Sequence, residues 1–264
     1  MKNILVPVGS TENGVNNLKY AVGFAGMSGA KVYLINIYKE FSKGGGLNKV
    51  TQLAFEENEA QLAEVLSRVD TEGIDVIAKP IMGNPLEGIA RVSKQLGIDL
   101  IIVSPQSVEI KDEIYLGKIT GRLVKQTDIP MLVVPKDYLF RKAENILLAV
   151  KSTSFAKKDV LSPMLELLRL FSAKLQVLKV KTPDVAGEDD RMDQELKSAM
   201  TSLTETENAT IFQGVLEHFQ SHNPDILCVL RRKRGFFKKL FESDVVLKKN
   251  FHTSIPLLIL CGEE

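Results

Sequence analysis

The sequence predicts an internally duplicated α/β protein made of two copies of one parallel-sheet domain, joined near residue 140. Short, β-branched apolar runs alternate with segments of helical periodicity along the chain. Strict alternation of strands and helices is the pattern of a parallel sheet with helices on both faces. The same order of elements then starts again in the second part of the chain.

The first half begins with a strand, a helix and a second strand. The apolar run from Asn3 to Val8 ends at Gly9 and Ser10 and predicts a buried parallel strand. Residues 13–27 carry apolar side chains at helical spacing, and Gly29 follows as a residue at which the helix can end. The β-branched run at residues 31–37 predicts the second strand.

The rest of the first half continues the alternation. Three glycines at residues 44–46 form a loop that leads into a long helix. The remaining predicted elements are helices at about 50–69, 85–96 and 113–125 and strands at 74–81, 99–103 and 130–134. The first half therefore contains five predicted strands.

Four strands of the second half repeat strands of the first half in the same order. Residues 144–150 echo 2–8, 173–178 echo 30–35, 225–229 echo 99–103, and 255–260 echo 129–134. The early pairs are offset by about 142 residues and the late pairs by 126, so about 16 residues are missing from the second copy, in its second helix. Four matches in one order indicate duplication. We expect domains at residues 1–138 and 143–264.

Composition excludes several classes of protein. The chain has 44% hydrophobic and 25% charged residues and a net charge of +1, so its overall charge attracts neither nucleic acid nor a membrane. Cys228 and Cys261 lie in apolar runs, where a free cysteine behaves as a small hydrophobe. With no amino-terminal signal and no apolar stretch of about 18 residues, we expect a cytoplasmic protein.

Several segments resemble the universal stress protein family, and the second half resembles the carboxy-terminal domain of its tandem members. The segments are Ile4–Val8, Gly83–Ile89, Leu116–Val124, Ile129–Val134, Arg231–Asp244 and Phe251–Leu257. The resemblance implies a doubly wound, adenine-nucleotide alpha hydrolase-like fold in each half, with five strands in the order 3-2-1-4-5. It also implies that the last strand forms a dimer contact, so that the two halves pair with each other. A homodimer and a protein partner of unknown identity are further expectations.

ATP-binding members of this family carry an acidic residue after strand one and a pattern G-2x-G-9x-G-(S/T) after strand four. Glycines allow backbone amides to approach phosphate oxygens closely at a helix amino terminus. In the first half, Gly9 occupies the acidic position, and the pattern falls on Ser104, Ser107 and Gly117, followed by Lys118. One glycine of three is therefore present.

The resemblance thus implies a degenerate candidate nucleotide site in the first half. Its residues are Pro7, Val8, Gly9, Ser10, Ile37, Val103, Ser104, Ser107, Gly117, Lys118 and Ile119. The second half departs further, because Lys151 follows its first strand and no glycine of the pattern remains. We expect no cofactor, with ATP in the first half as the alternative.

A basic patch follows the fourth strand of the second half. It consists of Arg231–Arg234 with Lys238 and Lys239, interleaved with Phe236, Phe237 and Phe241. Cations and stacking rings together can bind an anion or a nucleic acid. The alternative is an amphipathic helix in which Phe237 and Phe241 face the core and the charges are solvated. The near-zero net charge favours the helix.

Other candidate chemistry is weak. His218 and His222 have an i,i+4 spacing that can hold a metal, but no carboxylate or cysteine motif completes a site. No catalytic residues are identified. We therefore expect a regulatory or interaction protein of the stress response, and not an enzyme. The alternatives are weak ATP or AMP binding, or slow ATPase activity, in the first half, and anion or nucleic-acid binding through Arg231–Arg234.

Overall fold

The computed structural model describes residues 1–38, 47–105, 127–155, 158–183, 191–231 and 255–262, which contain ten strands and six helices. The strands are β1 (Asn3–Pro7), β2 (Lys31–Tyr38), β3 (Val76–Met82), β4 (Leu100–Val103), β5 (Met131–Val133), β6 (Asn145–Val150), β7 (Lys174–Lys181), β8 (Met200–Glu207), β9 (Ile226–Leu230) and β10 (Leu257–Leu260). The helices are α1 (Thr11–Ser28), α2 (Leu47–Ser67), α3 (Pro85–Leu96), α4 (Ser162–Phe171), α5 (Gln194–Ala199) and α6 (Ile211–His222).

All ten strands form one sheet in the order β3-β2-β1-β4-β5-β10-β9-β6-β7-β8. Pairing is parallel within each half and antiparallel between β5 and β10, where Leu132 lies opposite Leu258. Each half therefore has the order 3-2-1-4-5, and the two halves pair through their last strands. Both expectations are confirmed. The domain boundaries at residues 138 and 143 stay a prediction.

The two halves share specific hydrogen bonds as well as topology. Asp99 accepts from the backbone N–H of Lys2 (2.6 Å) and Asn3 (3.0 Å). Asp225 accepts from the backbone N–H of Glu144 (2.8 Å) and Asn145 (3.0 Å) in the same way. In each half, this aspartate ties the start of the fourth strand to the start of the first. The agreement supports duplication independently of the strand order.

One face of the sheet carries a core that runs through both halves. Tyr20 and Phe24 of α1 and Phe171 of α4 are almost fully buried in it. Phe140, from the segment that joins β5 to β6, packs edge-on against Tyr20 and Phe24, with ring centroids 5.3 and 6.2 Å apart, and lies 6.2 Å from Phe171. The connecting segment is therefore a packed part of the structure.

The second helix of the second half is short, as predicted. α5 has 6 residues, whereas α2 has 21. Asp193 begins α5 by accepting from the N–H groups of Glu195 and Leu196, which satisfies two amides of the first turn. The strand that follows, β8, was not among the predicted strands, because Met200–Glu207 is a polar sequence with no apolar run.

No helix among the described residues has the length and apolar character needed to cross a membrane.

Candidate functional site

The candidate site lies where β1 and β4 end, and we call this the first carboxyl edge. The two strands are parallel neighbours, and Leu5 lies opposite Ile101. Their last residues, with Val8 and Ser104 just beyond them, therefore reach the same edge of the sheet. The strand order reverses between β1 and β4. Ligands of open α/β sheets bind at such a switch point.

The turn after β1 is bound into the fold by its main chain. The N–H of Val8 donates to the carbonyl of Ile35 (2.7 Å), and the Val8 side chain is buried. Gly9 and Ser10 are exposed. Ser10 is the N-cap of α1, and its hydroxyl accepts from the N–H of Asn13 (3.4 Å). The Ser10 hydroxyl therefore has a structural role at the beginning of the helix.

The residue after β4 is held by two asparagines of α1. Ser104 is buried, and its hydroxyl donates to Oδ1 of Asn17 (2.6 Å) and accepts from Nδ2 of Asn16 (3.3 Å). Asn16 also donates to the carbonyl of Pro135 (3.2 Å) and accepts from the N–H of Asp137 (2.8 Å). The end of β4 is thus tied to α1 and to the segment after β5. The two asparagines carried no motif and were not identified from the sequence.

The end of β2 contributes Ile37, which is half-buried beside α3. A Cβ placed on Gly88 of α3 would lie 3.1 Å from Cδ1 of Ile37, so helix and strand are in close contact. The neighbouring Asn36 amide donates to Gln61 of α2, and Gln61 lies 3.5 Å from the hydroxyl of Thr11. α2 is therefore linked to both β2 and the start of α1.

A carboxylate lies in the first turn of α1. Glu12 accepts two hydrogen bonds from Arg68, at 2.6 and 3.1 Å. The hydrogen bond from Arg68, together with its positive charge, holds the pKa of Glu12 below its usual value. Anions are favoured at a helix amino terminus. Here the protein supplies the negative charge itself.

The structure brings six of the predicted site residues to the first carboxyl edge. They are Pro7, Val8, Gly9, Ser10, Val103 and Ser104. Ile37 lies at the end of the neighbouring strand β2. Ser107, Gly117, Lys118 and Ile119 lie outside the described residues.

The ends of β6 and β9 form the second carboxyl edge, and lysines are prominent there. Lys151 follows β6 and is 9% exposed, and Lys179 near the end of β7 is 4% exposed. Nζ of Lys179 lies 3.8 Å from Glu205, which also accepts from Lys181 at 2.8 Å. The hydrogen bond from Lys181, with the charges of both lysines, lowers the pKa of Glu205. The buried Lys179 was not identified from the sequence, although a lysine within an apolar run is a signal.

The first residue of the predicted basic patch contacts the other half of the protein. The guanidinium of Arg231 donates to the carbonyl of Thr127 and to the carboxylate of Asp128, the latter at 3.2 Å. Arg231 thus connects the end of β9 to the residues before β5. Residues 232–234, Lys238, Lys239 and the three phenylalanines of the patch lie outside the described residues.

The histidine pair is engaged within the fold. Nε2 of His222 is 3.2 Å from the hydroxyl of Thr204, and Nδ1 is 2.8 Å from the carbonyl of His218. In the described part of the chain, no group of three or more histidine, cysteine or acidic side chains could hold a metal. Cys228 and Cys261 are not joined in a disulfide bond, and the thiol of Cys261 donates to the carbonyl of Ile129 at 3.1 Å. Burial raises the pKa of the Cys228 thiol.

Comparisons with known proteins agree with this architecture. A model of the universal stress protein family matches residues 1–135, about half of the chain. Universal stress protein MJ0531 of Methanocaldococcus jannaschii is 24% identical over 140 residues, which cover 51% of this chain and 82% of that protein. Universal stress protein MJ0577 of the same organism is 25% identical over 154 residues, covering 51% and 95%.

A solved structure extends the likeness to the second half. A universal stress protein from Archaeoglobus fulgidus superposes with a TM-score of 0.69 at 14% identity, covering 99% of this chain and 97% of that one. At this identity the likeness concerns the fold alone. It shows that the two-half architecture occurs in another chain of similar extent.

Proposed function

Because the chain belongs to the universal stress protein family, we propose that it acts as a regulatory or interaction protein of the stress response and that neither half binds ATP tightly. The proposal includes no catalytic reaction and no bound cofactor. The observation that carries it is the state of the first carboxyl edge in the part of the chain that the structure describes, where Gly9 offers no side chain and the Ser10 and Ser104 hydroxyls are already engaged.

The end of β4 supports this proposal most directly. The Ser104 hydroxyl has both a donor and an acceptor partner on α1, Asn16 and Asn17, and it is 5% exposed. A phosphate oxygen, which can only accept, could bind this hydroxyl only by displacing Asn17 as its acceptor, and the buried Asn17 amide would then be left unsatisfied at a cost of about 1–3 kcal/mol. Ser104 also stands where the resemblance implies a glycine.

The turn after β1 adds two further arguments. Gly9 offers no carboxylate to an adenine or ribose, although the resemblance implies an acidic residue there. Glu12 places a carboxylate in the first turn of α1, and its pairing with Arg68 keeps it ionised. Because the Arg68 guanidinium is already paired, a triphosphate at this helix terminus would have to compete with Glu12 for it.

The second carboxyl edge is less suited still to an adenine nucleotide. Lys151 takes the position of Gly9, so a long buried side chain stands where the main chain would have to be accessible. A lysine offers a charge to a phosphate but no glycine-lined main chain.

Isothermal titration of the intact chain with Mg-ATP tests the proposal. We expect no saturable heat at micromolar nucleotide. Micromolar affinity would contradict the proposal, and so would nucleotide released from protein that was purified gently and then denatured. A thermal melt recorded on the same sample confirms that the protein in the cell is folded.

A second candidate function is weak nucleotide binding, or slow ATP hydrolysis, in the first half. The observation in its favour is the spacing of Ser104, Ser107 and Gly117, followed by Lys118, which matches the family pattern. It predicts that Gly117→Val abolishes nucleotide binding, because a β-branched side chain blocks approach to the main chain. Absence of bound nucleotide and of hydrolysis above background would contradict it.

Anion or nucleic-acid binding through Arg231–Arg234 has less support. Arg231 is engaged with Thr127 and Asp128 in the other half. This alternative predicts binding that weakens steeply with salt. Salt-independent or absent binding would contradict it.

A further inference from the structure

The two outer strands of the ten-stranded sheet are β3 and β8. An edge strand presents unpaired N–H and C=O groups, and proteins limit pairing there with proline and lysine. β3 carries both, as Lys79 and Pro80. β8 has neither, and its sequence is Met-Thr-Ser-Leu-Thr-Glu-Thr-Glu. In the part of the chain that the structure describes, β8 is therefore the edge with no proline or lysine, and its register is irregular only near its start, before Ser202.

The side chains of β8 specify which strand it accepts as a neighbour. On one face of the sheet, Leu203 lies beside Val177, Glu205 beside Lys179, and Glu207 beside Lys181. Residues two apart on a strand project from the same face. The known neighbour of β8 thus presents an apolar residue followed by two lysines at alternate positions.

The outer side of β8 can accept the same pattern. Leu203 is 37% exposed, which is large for a leucine in a strand. Glu205 and Glu207 are exposed; Glu205 already pairs with Lys179 and Lys181, whereas Glu207 has no ion pair among the described residues. A strand added to this side would therefore meet one apolar and two acidic side chains along the shared face.

We propose that the outer edge of β8 binds an extended peptide with an apolar residue followed by lysine or arginine at the next two alternate positions, as an eleventh strand. Main-chain hydrogen bonds would supply affinity, and the alternate side chains would supply specificity. The proposal deepens the interaction role proposed above and rests on it. It does not involve either carboxyl edge, so a positive nucleotide titration and a failed peptide experiment are separate results.

The experiment measures fluorescence anisotropy of a labelled peptide, Thr-Val-Thr-Lys-Thr-Lys-Thr, with the intact protein. We expect saturable binding that weakens as salt is raised, because exposed charge pairs are screened. A peptide with glutamate in place of both lysines should bind at least about tenfold more weakly. Two further peptides carry N-methyl groups, one on the odd-numbered residues and the other on the even-numbered residues. At least one of them should not bind, because N-methylation removes the N–H groups that would donate to β8.

Protein variants test the position of the site. Glu207→Lys should weaken binding about fivefold, as expected for reversal of one exposed charge. Glu59→Lys, on an exposed position of α2, makes the same change in net charge far from β8 in the sheet order and should leave binding unchanged. Circular dichroism shows whether both variants keep the native fold.

Several results would overturn the proposal. They are absence of binding at about 1 mM protein, equal binding of the glutamate peptide or of both N-methylated peptides, and equal effects of the two protein variants. A further one is a dimer of the free protein that Glu207→Lys dissociates. That last result would assign the edge to a second copy of the chain.

Discussion

Gly23 of α1 lies directly against the ring of Phe140, so closely that a Cβ placed on Gly23 would be 2.6 Å from Cδ1 of that ring. Phe140 belongs to the segment between the two halves, and its ring also contacts Tyr20 and Phe24. A side chain at residue 23 would therefore push the connecting segment away from α1.

Gly23→Ala is expected to destabilise the protein by about 1–3 kcal/mol, because overpacking at a close contact forces the ring or the backbone to move. Gly26→Ala on the same helix is the matched control. A Cβ at Gly26 meets nothing within 4 Å, so this change should stabilise the helix by about 0.5–1 kcal/mol. The midpoint of urea unfolding is measured for both variants and compared with that of the native protein. Equal shifts of the two midpoints would contradict the packing of Phe140 on α1.

Substitution of either of the two equivalent aspartates should destabilise the protein. Asp99→Ala and Asp225→Ala each remove an acceptor of two backbone N–H groups. Loss of charged hydrogen bonds at half-buried positions should cost about 1.5–3 kcal/mol in each case. Urea unfolding measures both values. A negligible effect at one site would show that the two halves do not depend on this contact equally.

The ion pair of Glu12 with Arg68 predicts a pH dependence. The hydrogen bond from Arg68 and its charge lower the pKa of Glu12 from 4.5. A depressed pKa stabilises the fold above the unfolded-state pKa, and this contribution is lost as the pH falls through the folded-state pKa. The stability difference between the native protein and Glu12→Gln should therefore be larger at pH 7 than at about pH 3. A difference that is independent of pH would contradict the pairing.

Cys228 should be unreactive in the folded protein. It is fully buried in β9, and burial raises the pKa of its thiol, which suppresses the reactive thiolate. Ellman's reagent should label the folded Cys228→Ala variant at the same rate and to the same extent as the folded native protein. In urea, the variant should show one reactive thiol fewer than the native protein. A loss of native labelling in this variant would show that Cys228 is accessible.

Much of the fold could be predicted from the sequence because buried parallel strands have a strong local signal. The run from Asn3 to Val8 predicted β1, which ends at Pro7, and the shortened α5 followed from the two offsets between the repeats. β8 was missed because an edge strand needs no continuous apolar run. Its alternation of threonine and glutamate in residues 204–207 was the available signal.

The position of Val8 and Ser104 at the end of their strands could be predicted, whereas their contacts could not. The strand ends placed Val8 and Ser104 at one edge, because parallel strands of known order end together. The engagement of Ser104 by Asn16 and Asn17 depends on the packing of α1 against the end of β4. Such contacts join residues about ninety positions apart and leave no local pattern in the sequence.

The antiparallel joint between β5 and β10 has a directional consequence. Since all strands within a half run the same way, reversing direction at the joint makes the ends of β1 and β4 point opposite to the ends of β6 and β9. The first and second carboxyl edges therefore lie at opposite ends of the sheet along the strand direction. A small ligand bound at one edge is therefore out of reach of the side chains at the other.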